Sequence, residues 1–129
     1  MKRLKVLFVV LLIANVTVMQ AAVYKGQREY IKKCRACHFG GEQIAQKETQ
    51  KTWRNYFAKK GKKLAAVHIG SERVKDQLSS LHLKKKAKKL NVKKVDKYFK
   101  GKKFKKRSRH LRDFFVEYAK DSGNVPACN

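Results

Sequence analysis

The chain has few acidic residues. Its 129 residues contain 9 Asp and Glu against 34 Lys and Arg, which gives a formal net charge of +25. The length limits it to one small domain. Hydrophobic residues make up 43% of the sequence, and that fraction argues against a fully disordered chain. Because so many like charges repel one another, we expect the fold to need an added source of apolar burial.

The sequence also lacks the motifs of common enzyme classes. It has no Gly-rich phosphate loop, no HExxH and no GxSxG sequence. Alternation of apolar and polar residues, which is typical of strands, does not continue over enough residues to predict a strand. We therefore expect an all-α domain that is not an enzyme.

The N-terminal segment resembles an export signal. Three basic residues precede an apolar run over residues 6–13, which continues more weakly to residue 19. This core of about 14 residues is shorter than the roughly 20 that a membrane-spanning helix needs, which favours cleavage over anchoring. We predict that residues 1–22 are an export signal and that the mature chain begins near Ala22 or Val23. An uncleaved segment would leave the protein anchored to the membrane.

Export determines which partners to expect. The predicted signal contains three basic residues and no acid, so the mature chain has 31 Lys and Arg against 9 Asp and Glu, or +22. Such a charge would ordinarily suggest nucleic acid as the partner, but an exported protein does not meet chromosomal DNA or ribosomes. We predict a periplasmic protein that does not bind nucleic acid.

Helical spacing of apolar residues predicts five helical segments. The first covers residues 24–37, and the second lies within residues 49–68, with Thr49 or Thr52 as its N-cap and Gly61 as a break. Gly70 ends the second segment, and Ser71 can begin the third. The apolar stripes of the last three helices are Val74, Leu78 and Leu81, then Val92, Val95 and Phe99, then Leu111, Phe114, Phe115 and Tyr118. The last helix is predicted to begin at Ser108 and to end at Ser122 and Gly123.

One motif carries specific chemistry. Residues 34–38 read Cys-Arg-Ala-Cys-His, the CxxCH signature of c-type haem attachment. Cys34 and Cys37 lie one helical turn apart, so their thiols can reach the two vinyl groups of one porphyrin edge, and His38 can bind the iron. Covalent haem would also supply the apolar burial that a charged domain needs. The alternatives are a disulfide redox pair, which lacks a βαβ surround here, and half of a zinc site, for which the other Cys and His residues are too scattered.

The residues around this motif resemble the class I cytochromes c. The pattern is Gly26-x3-Tyr30-x3-Cys34-x2-Cys37-His38, and it is specific over residues 24–41 and weaker over the C-terminal helix, residues 108–122. The resemblance implies a small helical electron-transfer domain, residues 23–129, folded around one haem c. It also implies that the N- and C-terminal helices pack together, with the small residue letting an aromatic residue of the last helix approach.

The chain departs from that family at the second iron ligand. Family members usually supply a Met, but the only Met residues here are Met1 and Met19, both in the predicted signal. The sixth position must then be filled by His, by Lys, by water or by nothing. His68, 30 residues after His38 and just before Gly70, is our first candidate for the distal ligand, ahead of His82 and His110. His ligation predicts a low reduction potential, whereas an open site would make the protein a haem-based ligand sensor.

A Lys-rich segment covers residues 83–112. It holds 16 basic residues and one acid, Asp96. A positive surface of this kind attracts acidic redox proteins, which we expect as electron donors and acceptors, although it can also bind an anionic membrane or simply be solvated. The alternative function is an envelope polycation that binds anionic lipid or polymer. Cys128 remains after haem attachment, and it could be free, link two chains or pair with another protein.

Overall fold

The computed structural model describes residues 19–38, 40–81 and 90–124, and only the backbone of Leu81. Every regular element in these ranges is a helix, which confirms the predicted all-α class. Residues 1–18 of the predicted export signal, residues 83–89 of the Lys-rich segment, His82 and Cys128 lie outside the described residues. The helices are α1 (19–33), α2 (Arg35–His38), α3 (Gly41–Ala45), α4 (Gln50–Ala66), α5 (Glu72–Leu81), α6 (Val92–Lys100) and α7 (Lys102–Glu117).

Helix α1 contains the predicted signal-cleavage position near Ala22, because it already includes residue 19. None of the helices in the described residues is long and apolar enough to cross a bilayer. The predicted first helix, residues 24–37, is divided by a turn at Cys34, and the short α2 follows the turn. The haem-attachment motif therefore lies at a junction of two helices.

Helix α4 is broken in its middle, as the glycine at its centre predicted. Thr49 is the N-cap, and its side chain accepts a hydrogen bond from the Thr52 amide at 3.2 Å. Residues 58–61 leave the helical conformation, and Gly61 has a φ of 77°. Lys59 and Lys60 also have positive φ values, 49° and 57°, which are costly for residues that carry a Cβ.

Helix α7 begins earlier than predicted. We expected the last helix to start at Ser108, but it starts at Lys102, and Ser108 lies buried inside it. Lysine and arginine favour helices, so residues 102–107 extend the helix toward its N-terminus. The Ser108 hydroxyl donates to the Lys105 carbonyl oxygen at 2.9 Å, which satisfies its polar group without ending the helix.

The N- and C-terminal helices cross at Gly26. A Cβ placed on Gly26 would overlap the backbone oxygen of His110 and lie 2.7 Å from the Cβ of Phe114. Only glycine allows the two backbones to come this close. One turn further along α1, Tyr30 is 2% exposed, and its ring lies 5.8 Å from those of Phe114 and Phe115, centre to centre.

Aromatic rings fill the rest of the core. Phe115 packs on Trp53 of α4 with ring centres 4.4 Å apart, and the Trp53 indole donates to the Ala45 carbonyl oxygen at 2.7 Å. At the other end of α7, Phe104 packs edge-on against Phe99 of α6 at 4.9 Å. Helix α7 thus joins α1, α3, α4 and α6 in a single core.

Candidate functional site

The CxxCH segment is held in place by backbone hydrogen bonds. Cys34 continues the hydrogen bonding of α1 through its amide, which donates to the Tyr30 carbonyl oxygen at 2.8 Å. The amides of Cys37 and His38 both donate to the Cys34 carbonyl oxygen, each at 3.0 Å. The side-chain amide of Gln77 in α5 donates to the Cys37 carbonyl oxygen at 3.3 Å. This turn is therefore anchored by α1 on one side and by α5 on the other.

The two cysteines are free thiols in an environment that disfavours thiolates. Burial, and next the charge of Glu29, raise the pKa of Cys34 to about 12. Burial also raises the pKa of Cys37. Thiol–disulfide exchange uses the thiolate, so this environment disfavours a reactive redox pair. No group of three or more Cys, His, Asp or Glu side chains suited to a metal ion occurs within the described ranges.

The fold brings His68 next to His38. The two imidazole rings have centres 5.8 Å apart and planes inclined at 74°. His68 lies in the turn after α4, and this turn is tied to α6 because the Gly70 amide donates to Asp96 at 3.2 Å. His110 lies instead at the crossing of α1 and α7, at Gly26. Of the described histidines other than His38, His68 is thus the one that lies beside the CxxCH motif.

Two contacts orient the half-buried ring of His68. Its Nδ1 lies 2.8 Å from the Leu64 carbonyl oxygen. A carbonyl oxygen only accepts hydrogen bonds, so Nδ1 carries the proton and the Nε2 of a neutral ring keeps its lone pair. One face of the His68 ring stacks on the Phe99 ring, with ring centres 4.3 Å apart and planes inclined at 24°. A hydrogen bond from one ring nitrogen to a carbonyl is the usual way in which proteins orient a metal-binding histidine.

The surroundings of both histidines favour the neutral imidazole over the charged one. Desolvation lowers the pKa of His38, and repulsion from His68, when that ring is protonated, and from Lys47 lowers it further. Burial lowers the pKa of His68 and outweighs the hydrogen bond to Leu64, which acts in the opposite direction. Since the neutral imidazole is the form that binds a metal, both rings are suited to ligation at neutral pH.

The donors fit a haem iron with two imidazole ligands. Metal–imidazole bonds are about 2 Å long, so two rings that share one metal ion have centres no more than about 6 Å apart. The observed separation between His38 and His68 is 5.8 Å. Two thiols one turn apart, a histidine directly after them and a second oriented histidine are the residues that a covalent bis-histidine haem requires.

The sequence interpretation missed a buried acid beside this site. Glu29 is 5% exposed, and the Tyr98 hydroxyl donates to its carboxylate at 2.9 Å. Lys33 lies over the Tyr98 ring, with its Nζ 5.6 Å from the centre. The sequence did contain the information that Glu29 is buried. Glu29 is three residues after Gly26 and next to Tyr30, so helical spacing places it on the buried side of α1.

Comparisons with known proteins do not add to this description. No protein-family model, no curated protein and no solved structure matches the chain. The interpretation of the site therefore depends on the CxxCH motif and on the geometry around it.

Proposed function

We propose that this protein is an exported c-type cytochrome with one haem, which carries single electrons between redox partners. Cys34 and Cys37 would hold the porphyrin through thioether bonds, His38 would be the proximal ligand and His68 the distal ligand. The observation that carries the proposal is that the fold places the His68 imidazole with its centre 5.8 Å from that of His38, the residue directly after the cysteine pair.

The crossing of α1 and α7 also supports the proposal. The resemblance to class I cytochromes c implied a small residue of the N-terminal helix in contact with an aromatic residue of the last helix. Gly26 and Phe114 are in this relation, and Tyr30 packs against Phe114 and Phe115. These contacts involve the residues that carry the resemblance in the sequence.

The haem would supply a couple of ferric and ferrous iron that exchanges one electron. The chain's residues determine the properties of that couple. An imidazole donates electrons more strongly than the thioether of methionine and favours ferric iron, so the reduction potential would lie below that of methionine-ligated cytochromes c. The Leu64 carbonyl and the Phe99 ring hold the His68 imidazole in one orientation.

The proposed partners follow from the charge. A mature chain of +22 attracts acidic proteins over long distances and speeds their encounter, so we propose acidic redox proteins of the periplasm as electron donors and acceptors. Nucleic acid is not among the proposed partners, because the N-terminal segment resembles an export signal.

A haem assay on denatured protein tests the cofactor. The full chain is expressed together with a cytochrome maturation system, denatured, and analysed by haem staining and by its pyridine haemochrome spectrum. We expect one covalent haem per chain, and none when Cys34 and Cys37 are both replaced by Ser. The matched control is Cys128→Ser, which should keep its haem. A colourless wild-type protein would refute the proposed function.

Visible spectra of the same protein test the distal ligand. We expect six-coordinate, low-spin iron that binds carbon monoxide slowly after reduction. His68→Ala should open the sixth position and accelerate carbon monoxide binding, whereas His110→Ala should leave the spectrum unchanged. Rapid binding by the wild type would show an open site, as in a ligand sensor, and an unchanged His68→Ala spectrum would point to a different ligand such as lysine.

A further inference from the structure

Two similar lysine-rich segments meet on the side of the fold where α4 is broken. Residues 59–63 read Lys-Lys-Gly-Lys-Lys, and residues 102–106 read Lys-Lys-Phe-Lys-Lys. The central residues Gly61 and Phe104 are buried against each other, since a Cβ on Gly61 would lie 2.7 Å from the Cζ of Phe104. All eight lysines are exposed, and we call them the lysine surface: Lys59, Lys60, Lys62, Lys63, Lys102, Lys103, Lys105 and Lys106.

The lysine surface has no acidic residue to balance it locally. Residues 49–71 and 97–112 contain no Asp or Glu. The ion pairs found in the described residues are Lys75–Glu72, Lys100–Asp96 and Arg112–Asp113, and none of them includes a lysine of this surface. Arg109 adds a further exposed cation to the same solvent-facing side of α7. The like charges on these two segments therefore repel one another.

In addition to the charge repulsion, the backbone conformation of residues 59–63 lowers the stability of the folded chain. Lys59 and Lys60 both adopt the left-handed conformation, which costs about 1–2 kcal/mol for each residue other than glycine. Strain and repulsion that coincide in one place point to a function of that place rather than to stability. A bound polyanion would remove the repulsion.

The composition of the surface indicates which kind of partner fits. Gly61 is buried and Phe104 is 1% exposed, so neither centre offers the apolar anchor that protein interfaces and membrane insertion use. The large apolar side chains that are exposed in the described residues all lie outside both segments: Met19, Tyr24, Ile31 and Val67. Exposed aromatic rings, on which nucleobases would stack, are also missing from these two segments. Lysines act as point charges that recognise charge density rather than a particular shape.

We propose that the lysine surface binds a linear polyanion with closely spaced phosphate groups and no bases. Binding would replace the polymer's condensed counterions by lysine ammonium groups, so the affinity would fall steeply with salt. The proposal goes beyond electron transfer and does not depend on the haem. It gives the cytochrome a means of attachment to an anionic polymer of the cell envelope.

The test compares two variants of the full chain with the same net charge. The surface variant carries four substitutions, two in each segment: Lys60→Gln, Lys62→Gln, Lys103→Gln and Lys105→Gln. The control variant removes four exposed lysines elsewhere: Lys25→Gln, Lys32→Gln, Lys51→Gln and Lys120→Gln. Binding to long-chain inorganic polyphosphate is measured as a function of salt, and circular dichroism checks that both variants keep their helices.

We expect the surface variant to bind polyphosphate on the order of a hundredfold more weakly at about 0.15 M salt. The slope of log affinity against log salt should fall by about three, since each lost phosphate contact contributes about 0.7 to 0.9. The control variant should lose less than about threefold. Equal losses in both variants, or no binding by the wild type, would overturn the proposal.

Two further probes separate the classes of polyanion. Single-stranded oligothymidylate and vesicles of anionic phospholipid are compared with polyphosphate at equal charge concentration. We expect polyphosphate to bind most tightly, and tighter binding of either competitor would overturn the assignment. If the surface variant does not fold, polyphosphate is titrated into the wild type and followed by NMR. The largest shifts should then occur at the amides of residues 59–63 and 102–106, and shifts spread over all basic segments would contradict the proposal.

Discussion

The two ends of the aromatic core use similar packing for different purposes. At the crossing of α1 and α7, Tyr30, Phe114 and Phe115 pack with Trp53, and all four are 7% exposed or less. At the other end, Phe104 packs on Phe99, and Phe99 stacks on the imidazole of His68. The first end buries mostly hydrocarbon, together with the Trp53 indole, which donates a hydrogen bond, and the phenol of Tyr30. The second end uses the same kind of contact to orient a ring nitrogen, which hydrocarbon packing alone does not require.

The buried polar groups follow the same division. Near the site, Glu29 is buried and accepts a hydrogen bond from Tyr98, whose ring packs against Phe99 and Phe104. At the helix crossing, Trp53 donates to a backbone carbonyl oxygen and no acid takes part in the packing. A protein gains little stability from burying a carboxylate, so we interpret the second end as built for the site and the first end, the helix crossing, as built for stability.

Replacing one aromatic ring by alanine at each end of the core should lower the free energy of unfolding at least as much as any other change considered below. Phe114→Ala should lower the free energy of unfolding by about 3–5 kcal/mol, because it leaves a cavity under the helix crossing. It should leave the proposed haem ligands in place. Phe99→Ala should also destabilise, by about 3 kcal/mol, and should in addition alter the visible spectrum because His68 loses its stacking partner. Denaturant unfolding and spectra of both variants test this difference, and a changed spectrum in Phe114→Ala alone would contradict it.

Adding one methyl group at the helix crossing tests how tightly the first end is packed. Gly26→Ala should cost about 3 kcal/mol, because the new Cβ would overlap the His110 carbonyl and force α1 away from α7. Gly40→Ala is the matched control. Its φ is −68°, and the atoms nearest to the new Cβ belong to the flexible side chain of Gln43, so the change should stay within about 1 kcal/mol. Thermal unfolding of both variants measures the difference, and equal costs would show that the crossing is not tightly constrained.

Removing the hydrogen bond to the buried Glu29 at the second end should lower the stability by a smaller amount. Tyr98→Phe removes the hydroxyl that donates to Glu29 and leaves a buried carboxylate without this partner. We expect a loss of about 1–3 kcal/mol in denaturant unfolding. Tyr24→Phe, at a ring that is 57% exposed, should cost almost nothing. If the two variants were equally stable, the hydrogen bond to Glu29 would make no net contribution.

The smallest effect concerns His110 at the helix crossing. Desolvation lowers its pKa below 6.5, and the charges of Arg109 and Lys25 act in the same direction. The unfolded chain then binds the proton more tightly than the folded chain, so the contribution of His110 to stability should fall as the pH is lowered from about 6.5. An NMR titration of His110 measures this pKa directly, and Arg109→Gln should raise it. A wild-type value above 6.5 would contradict the prediction.

Much of the helical framework could be predicted from local signals. The break at Gly61 and the helix that carries Val92, Val95 and Phe99 were predicted and are confirmed. Of the two predicted N-caps, Thr49 and Thr52, the structure has Thr49. The predicted start of α7 was wrong. Serine is a common N-cap residue, but the Ser108 hydroxyl donates a hydrogen bond within the helix instead. A serine hydroxyl can either cap the start of a helix or donate to a carbonyl oxygen within it, and only its surroundings decide which of the two occurs.

The proximity of His68 to His38 shows where sequence reasoning reached its limit. Position at the edge of a loop placed His68 ahead of His82 and His110 as the distal candidate, and the structure brings its ring beside that of His38. The contacts that orient the ring, the Leu64 carbonyl and Phe99, were not predicted. Phe99 appeared in the sequence only as part of an apolar stripe, and a stripe does not show which side chain lies against it.

The sequence by itself determined the helical class, the excess of positive charge and the CxxCH motif, because each depends on composition or on residues within a few positions of one another. Only the tertiary structure decided that Tyr98 meets Glu29, 69 positions away, and that Gly61 packs on Phe104 so that two lysine segments become one surface. Such pairs depend on the path of the whole chain, since the cost of closing a long loop is met only when many packing contacts form together.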